Sequence, residues 1–203
     1  VQGAWADTVV GQVFYEQDYE ATGVVADWTT SVNGRFTPTI LEDGGNHYLS
    51  VVNTTRNNNG CVLTSPSLAE KVAAGTDFVM TFDLKVSSSN NQSPTKFEIK
   101  DAANTGTIFS LTATDKNATT WLLNGGKSYD LPNTNKTGGE QTIADVPWYS
   151  VKIRRVDDNT YVTITPKLGG ATIVDNVSVT ASSSGGLGDM IFETKRYNAN
   201  FAI

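Results

Sequence analysis

Along residues 78–86 the side chains alternate. Phe78, Met80, Phe82, Leu84 and Val86 fall on one side, and Val79, Thr81, Asp83 and Lys85 on the other. A period of two with one apolar side predicts a strand that buries a single face. The same reading predicts strands over 12–20, 36–41, 47–53, 61–64, 96–100, 107–114, 148–156, 160–165, 171–179 and 190–195. Turn-forming clusters separate them: Asp43-Gly44-Gly45, Asn57-Asn58-Asn59-Gly60, Asn104-Thr105-Gly106, Asn124-Gly125-Gly126, Asp157-Asp158-Asn159 and Gly169-Gly170. Glycine and asparagine suit such positions because they tolerate positive φ. Residues 156–161 read as a tight hairpin, and the apolar end Phe201-Ala202-Ile203 reads as a last strand docked in a sheet or cut within one. Helical spacing is confined to Ser67–Ala74, closed by Gly75, with Ser67 and Glu70 placed as a capping box. That segment is expected to be a short connector. The polar stretches 87–95 and 132–145 are expected to be loops, too short to link two domains.

About a dozen short strands with one-sided burial predict an all-β, two-sheet antiparallel β-sandwich, with residues 1–203 as one domain and helix content under about one tenth. A chain of 203 residues can enclose a sizeable core without cross-links. The single cysteine, Cys61, lies in an apolar run and is expected to be buried and inert.

Charge narrows the partners. Fifteen basic residues against 21 acidic ones leave a net charge of −6, which argues against nucleic acid. The one basic cluster, Lys152-Ile153-Arg154-Arg155, lies in a strand pattern and is read as a solvated face. The apolar runs are too short to span a bilayer as helices, so no membrane partner is expected. The abundance of Asn, Thr, Ser and Gly is the bias of bacterial extracellular proteins. A secreted domain, processed or excised from a longer chain, is therefore expected.

Chemistry is sparse. One histidine, His47, stands at a strand start, no Gly-x-Ser-x-Gly elbow is present, and a zinc site of His and Cys is excluded by count. Gly185-Gly186-Leu187-Gly188 has no helix after it to bind phosphate. The acidic constellation is Glu16-Gln17-Asp18-Tyr19-Glu20. On a strand its three carboxylates would share a face with about 6.6 Å between successive ones. Retaining glycosidases hold their pair about 5–5.5 Å apart. The run resembles the Glu-x-Asp-x-Glu signature of the laminarinase and lichenase jelly-roll β-glucanases, departing from it at Gln17, where that family has an aliphatic residue, and in its position near the N-terminus. The tail Met190–Ala199 is similar to the closing strand of alginate-cleaving jelly-roll lyases, but their Gln-Ile-His and Arg-x-Glu-Leu elements are missing.

A broader resemblance joins both ends of the chain. Phe14-Tyr15-Glu16-Gln17-Asp18-Tyr19-Glu20 with Gly23 and Trp28, the run Val174-Asp175-Asn176-Val177-Ser178-Val179, and the segment Gly188–Ile203 resemble secreted jelly-roll, concanavalin-like carbohydrate-binding modules of bacterial plant-polysaccharide-degrading enzymes. The resemblance implies a non-catalytic module that binds a plant cell-wall polysaccharide, as a monomeric part of a multi-modular protein. It also implies a structural Ca²⁺ held by Glu20 and Asp175. The rival reading is a glucanase or lyase that uses Glu16, Asp18 and Glu20. Sugar rings pack on flat aromatic faces while planar polar side chains take the hydroxyls. The candidate ligand residues are Trp28, Trp121, Tyr129, Trp148 and Tyr149, with Asn124 in the turn between Trp121 and Tyr129; Tyr48 and Tyr161 are further aromatic candidates. Trp121 is expected to face outward because Thr119, Thr120 and Asn124 surround it.

Overall fold

The computed structural model describes residues 13–19, 28–32, 36–53, 61–87, 95–113, 120–131, 147–181, 183, 185–194 and 200–202. Among these residues there is no α-helix, and fourteen strands follow one another: β1 (Thr29–Val32), β2 (Phe36–Asp43), β3 (Asn46–Asn53), β4 (Cys61–Thr64), β5 (Phe78–Ser87), β6 (Thr95–Asp101), β7 (Thr107–Ala113), β8 (Thr120–Leu123), β9 (Ser128–Asp130), β10 (Tyr149–Val156), β11 (Asn159–Pro166), β12 (Val174–Val179), β13 (Leu187–Thr194) and β14 (Asn200–Ala202). They form two seven-stranded sheets, ordered β1-β4-β13-β6-β7-β8-β9 and β12-β11-β10-β5-β14-β3-β2. The predicted all-β antiparallel jelly-roll sandwich is what forms.

Period-two patterning explains why. In β10, Tyr149, Val151, Ile153 and Arg155 are buried while Ser150, Lys152, Arg154 and Val156 are partly open. Its partner β11 buries Thr160, Val162 and Ile164 in the matching register. The predicted hairpin closes these two strands with Val156 opposite Asn159. Asp157 and Asp158 form its two-residue turn at φ 49° and 61°. Two successive left-handed residues give the primed turn whose twist matches that of the strands. The Asp157 N–H donates to the Asp77 carboxylate at 3.1 Å, which ties the tip to the start of β5.

Aromatic rings hold the sheets together. Phe82 of β5 lies 4.6 Å from Phe97 of β6 and 5.8 Å, edge-on, from Phe192 of β13. Phe97 and Phe192 are 4.4 Å apart. Such tilted and edge-on pairs add to the burial of the rings themselves. Cys61 lies fully inside, as expected, and burial pushes its thiol up to about 11.

Two expectations are corrected. Residues 13–19 form no strand: the Gln17 side chain accepts the Tyr19 N–H at 3.0 Å, and Tyr19 stands at φ 58°. A side chain bonding its own backbone two residues on competes with a strand ladder. The segment Ser67–Ala74 is the expected short connector, built of turns, with Val72 N–H on Leu68 O at 3.0 Å. It is held by β13, since Leu68 N–H donates to Gly188 O and Leu187 N–H to Val72 O. Glycine is required at 188, where a Cβ would lie 2.0 Å from the Asp101 carbonyl oxygen. Finally, the basic cluster is split by its own alternation: Lys152 and Arg154 face outward, and Arg155 faces the core, 2 % exposed. Its guanidinium donates to the carbonyls of Thr76 (3.0 and 2.8 Å), Ala73 (3.2 Å) and Gly185 (2.6 Å). Those carbonyls belong to irregular backbone, so a side chain supplies the donors a strand would have given.

Candidate functional site

The outward side of the second sheet carries the chemistry. Three of its strands, β5, β10 and β11, are in continuous register, so their outward residues form rows. Asp83, Ser150 and Thr165 make one row, Thr81, Lys152 and Thr163 the next, and Val79, Arg154 and Tyr161 a third. Trp148 precedes β10 at the head of these rows and is half-buried. Its carbonyl accepts the Lys167 N–H at 2.9 Å. Tyr48 of β3 meets the Trp148 ring edge-on at 5.3 Å, and the Lys85 Nζ lies 4.8 Å over that ring. The Tyr48 phenol is raised above its ordinary pKa by burial and by the charge of Asp43, so it remains a neutral hydrogen-bonding group.

Polar groups on this face are held in place. Asp83 accepts the Ser150 hydroxyl at 2.5 Å and is ion-paired with Lys167. The Arg154 guanidinium stacks 4.8 Å over Tyr161 and donates to Asn176 Oδ1 at 3.2 Å. Asn176 reaches that position through a bulge. The β11–β12 register slips between Val162 and Ile164, Asn176 takes φ 47°, and its N–H bonds Thr163 Oγ1 at 3.1 Å. Asparagine is tolerated in this left-handed geometry, and a bulge re-aims the side chain.

Beside Trp148 the sheet opens. β14 bridges β3 and β5 only at Ser50–Val51 and Lys85–Ser87. Among the described residues no strand lies between Asn46–Leu49 and Phe78–Leu84. A cleft of about 960 Å³ occupies this region. Tyr48, Asp83, Trp148 and Lys167 line it together with Glu16 and Asp18, and Phe82, Phe97, Phe192 and Trp28 line its apolar depth. Glu16 and Asp18 are exposed and lie outside any strand, so the shared strand face expected for a glucanase pair does not form; Glu20 lies outside the described residues.

The predicted ligand residues divide by face. Trp148 stands on the outward side of the second sheet. Tyr149, next in the chain, points into the core, where burial pushes its phenol up to about 12. Trp28 is buried, and its indole N–H donates to the Tyr15 hydroxyl at 2.5 Å. The outward reading of Trp121 is corrected: it is 3 % exposed, on the same side of β8 as buried Leu123. Its polar neighbours Thr120 and Asn124 belong to the alternation and the turn. Tyr129, opposite Trp121 in β9, packs on the core with Lys127 Nζ 4.9 Å over its ring. Asn124 is a turn anchor at φ 46°: its side chain accepts the Ser110 N–H at 2.6 Å and donates to Thr180 O at 2.9 Å. We expect Trp121→Ala to cost about 3 kcal/mol, near the low end for a buried tryptophan because β8 is next to the sheet edge and can relax. Urea unfolding measures it; a midpoint equal to that of the parent protein would return Trp121 to the surface.

For calcium, Asp175 is exposed on β12 and its expected partner Glu20 lies outside the described residues. Among the described residues no three His, Cys, Asp or Glu side chains converge. Asp83, Lys152, Arg154, Lys167 and Asn176 were missed as site residues in the sequence. The usable signal for Asp83, Lys152 and Arg154 was the outward parity of β5 and β10; Lys167 follows β11 and Asn176 sits at the bulge of β12, where parity gives no signal.

No family model matches the chain. No curated protein matches it. Among solved structures, it is similar to the CBM2 module of the evolved Dit protein of Lactobacillus casei BL23 phage J-1, with TM-score 0.54, 10% identity, and 93% of this chain and 91% of that one covered. Lectin II from Ulex europaeus gives TM-score 0.46 at 8% identity, covering 87% and 97%. The alginate lyase from Klebsiella pneumoniae gives 0.46 at 14% identity, covering 84% and 82%. At such identities the likeness to the phage module concerns the fold, a β-sandwich spanning nearly the whole of both chains.

Proposed function

We propose that the chain is a non-catalytic carbohydrate-binding module of a secreted bacterial multi-modular protein, and that it binds a plant cell-wall polysaccharide across the outward face of its second sheet. One observation carries the reading. The Trp148–Tyr48 aromatic pair stands at the head of ordered rows of hydroxyl, amide and charged side chains on a rigid three-stranded platform. An aromatic face takes the C–H side of a sugar ring, and the rows from Ser150 to Asn176 offer donors and acceptors to its hydroxyls. Such a module raises the local concentration of whatever is joined to it.

A glycosidase reading keeps one supporting observation: carboxylates of Glu16, Asp18, Asp43 and Asp83 all line the cleft. The two readings separate in a single experiment. A panel of immobilised xylan, mannan, β-glucan and pectin is probed for binding while the supernatant is assayed for reducing ends and unsaturated products. We expect retention without release. Release that disappears in a folded Glu16→Gln variant would replace the binding reading with the catalytic one.

A further inference from the structure

Along β10 the charge is opposite to that of the chain. The chain carries −6 overall. Yet β5, β10, β11 and the residue after them present Lys85, Lys152, Arg154 and Lys167 outward with one carboxylate, Asp83, which Lys167 already neutralises; further carboxylates border this strip, Asp175 exposed on β12 and Glu16, Asp18 and Asp43 at the cleft beside Trp148. Lys85 is buried beside Trp148, whereas Lys152 and Arg154 are partly open and Lys167 is exposed. Lys152 and Arg154 are two residues apart on one strand face, about 6.6 Å along it, and Trp148 to Arg154 spans roughly 20 Å. Hydroxyls of Ser150, Thr81 and Thr163 lie in the rows between them. Hydroxyls alternating with fixed cations, headed by an indole ring, fit a polymer that repeats both hydroxyls and anions. Arginine's planar fork suits a carboxylate in particular.

We infer that the ligand is an anionic polysaccharide bearing carboxylates, a polyuronate, laid along β10 from Trp148 to Arg154. This inference rests on the carbohydrate-binding reading above and names its substrate class. The acidic remainder of the surface would repel such a polymer elsewhere, so the platform also sets where it lands.

The matched probes are polygalacturonate and its fully methyl-esterified form, which differ in charge and keep the same sugar. Binding is measured by calorimetry at 50 mM salt with the whole chain. We expect at least tenfold tighter binding of the acid form, and a loss of that preference at 500 mM salt, because counterion-linked contacts weaken as salt rises. A Lys152→Gln, Arg154→Gln double variant should lose at least tenfold for the acid form, while Lys127→Gln, on the other sheet, should not. If the double variant fails to fold, the Lys152→Gln variant and the salt series carry the comparison. Equal binding of acid and ester, or binding of neutral glucan alone, overturns the inference and leaves the carbohydrate-binding reading intact. No binding to any polysaccharide overturns both. Preference for a sulfated glycan or a single-stranded oligonucleotide over polygalacturonate, or unchanged binding by the folded double variant, also overturns the inference.

Discussion

Arg155→Leu is expected to lower stability by about 5 kcal/mol. Two backbone carbonyls, those of Thr76 and Gly185, lose the donors that satisfy them, while Ala73 O loses one and keeps the Thr76 N–H. Each buried acceptor left without a partner costs about 1–3 kcal/mol. Leucine also fills less of the space over the Phe78 ring, which the guanidinium now covers at 5.0 Å. Burial pulls the Arg155 pKa below its ordinary value, against the opposing charges of Asp158 and Asp77. The group nonetheless stays charged at any working pH. For a domain near 200 residues the loss corresponds to a fall in Tm of about 10–20 °C. Arg155→Lys should recover less than half, because one ammonium cannot reproduce a fork that spans two loops. Lys152→Ala, three residues earlier and facing outward, should change stability by no more than about 0.5 kcal/mol. Thermal unfolding of the three variants checks this; an Arg155→Leu protein melting within about 3 °C of the parent would remove Arg155 from its structural role.

Trp148→Ala is expected to weaken polysaccharide binding roughly 30- to 100-fold, the effect of losing one tryptophan anchor worth about 2–3 kcal/mol. The stability cost should be small, about 1 kcal/mol, because the ring is half-buried and its neighbours Tyr48 and Lys85 touch it from the side and from above. Trp121→Ala should do the reverse, costing stability while the folded fraction binds as before. Trp148→Phe, which keeps a flat apolar face, should restore most of the affinity. Calorimetric titration with the polysaccharide found by the panel, beside a melting curve, reads both quantities. Unchanged affinity in a folded Trp148→Ala protein would move the binding face away from this sheet.

The strand pattern was legible because burial on one side is a local property. Residues 36–41, 61–64, 78–86, 148–156 and 160–165 all lie in the strands they predict, with ends shifted by no more than two residues. The hairpin at 156–161 was legible for a similar reason, since Asp157-Asp158-Asn159 supplies residues that accept left-handed φ. Strands β1, β8 and β9 were not found: they are three or four residues long, and their partners, not their alternation, make them strands. The segment 12–20 alternates well enough to read as a strand, but in 13–19 the Gln17 side chain bonds the Tyr19 N–H and no strand forms.

The sequence by itself determined an all-β chain with one-sided strands, an inert buried cysteine and an aromatic inventory suited to sugars. It also determined, through parity, that Trp148 and Tyr149 must face opposite ways, without saying which way. Tertiary structure decided that choice, sending Tyr149 into the core opposite Leu84 and leaving Trp148 on the surface beside Tyr48. It likewise buried Trp121 and Arg155 and brought Lys85, Lys152, Arg154 and Lys167 onto one face from positions up to 82 residues apart. The physical reason is that alternation specifies two faces for each strand, while which face is the core, and which strands lie side by side, depends on pairings between distant segments.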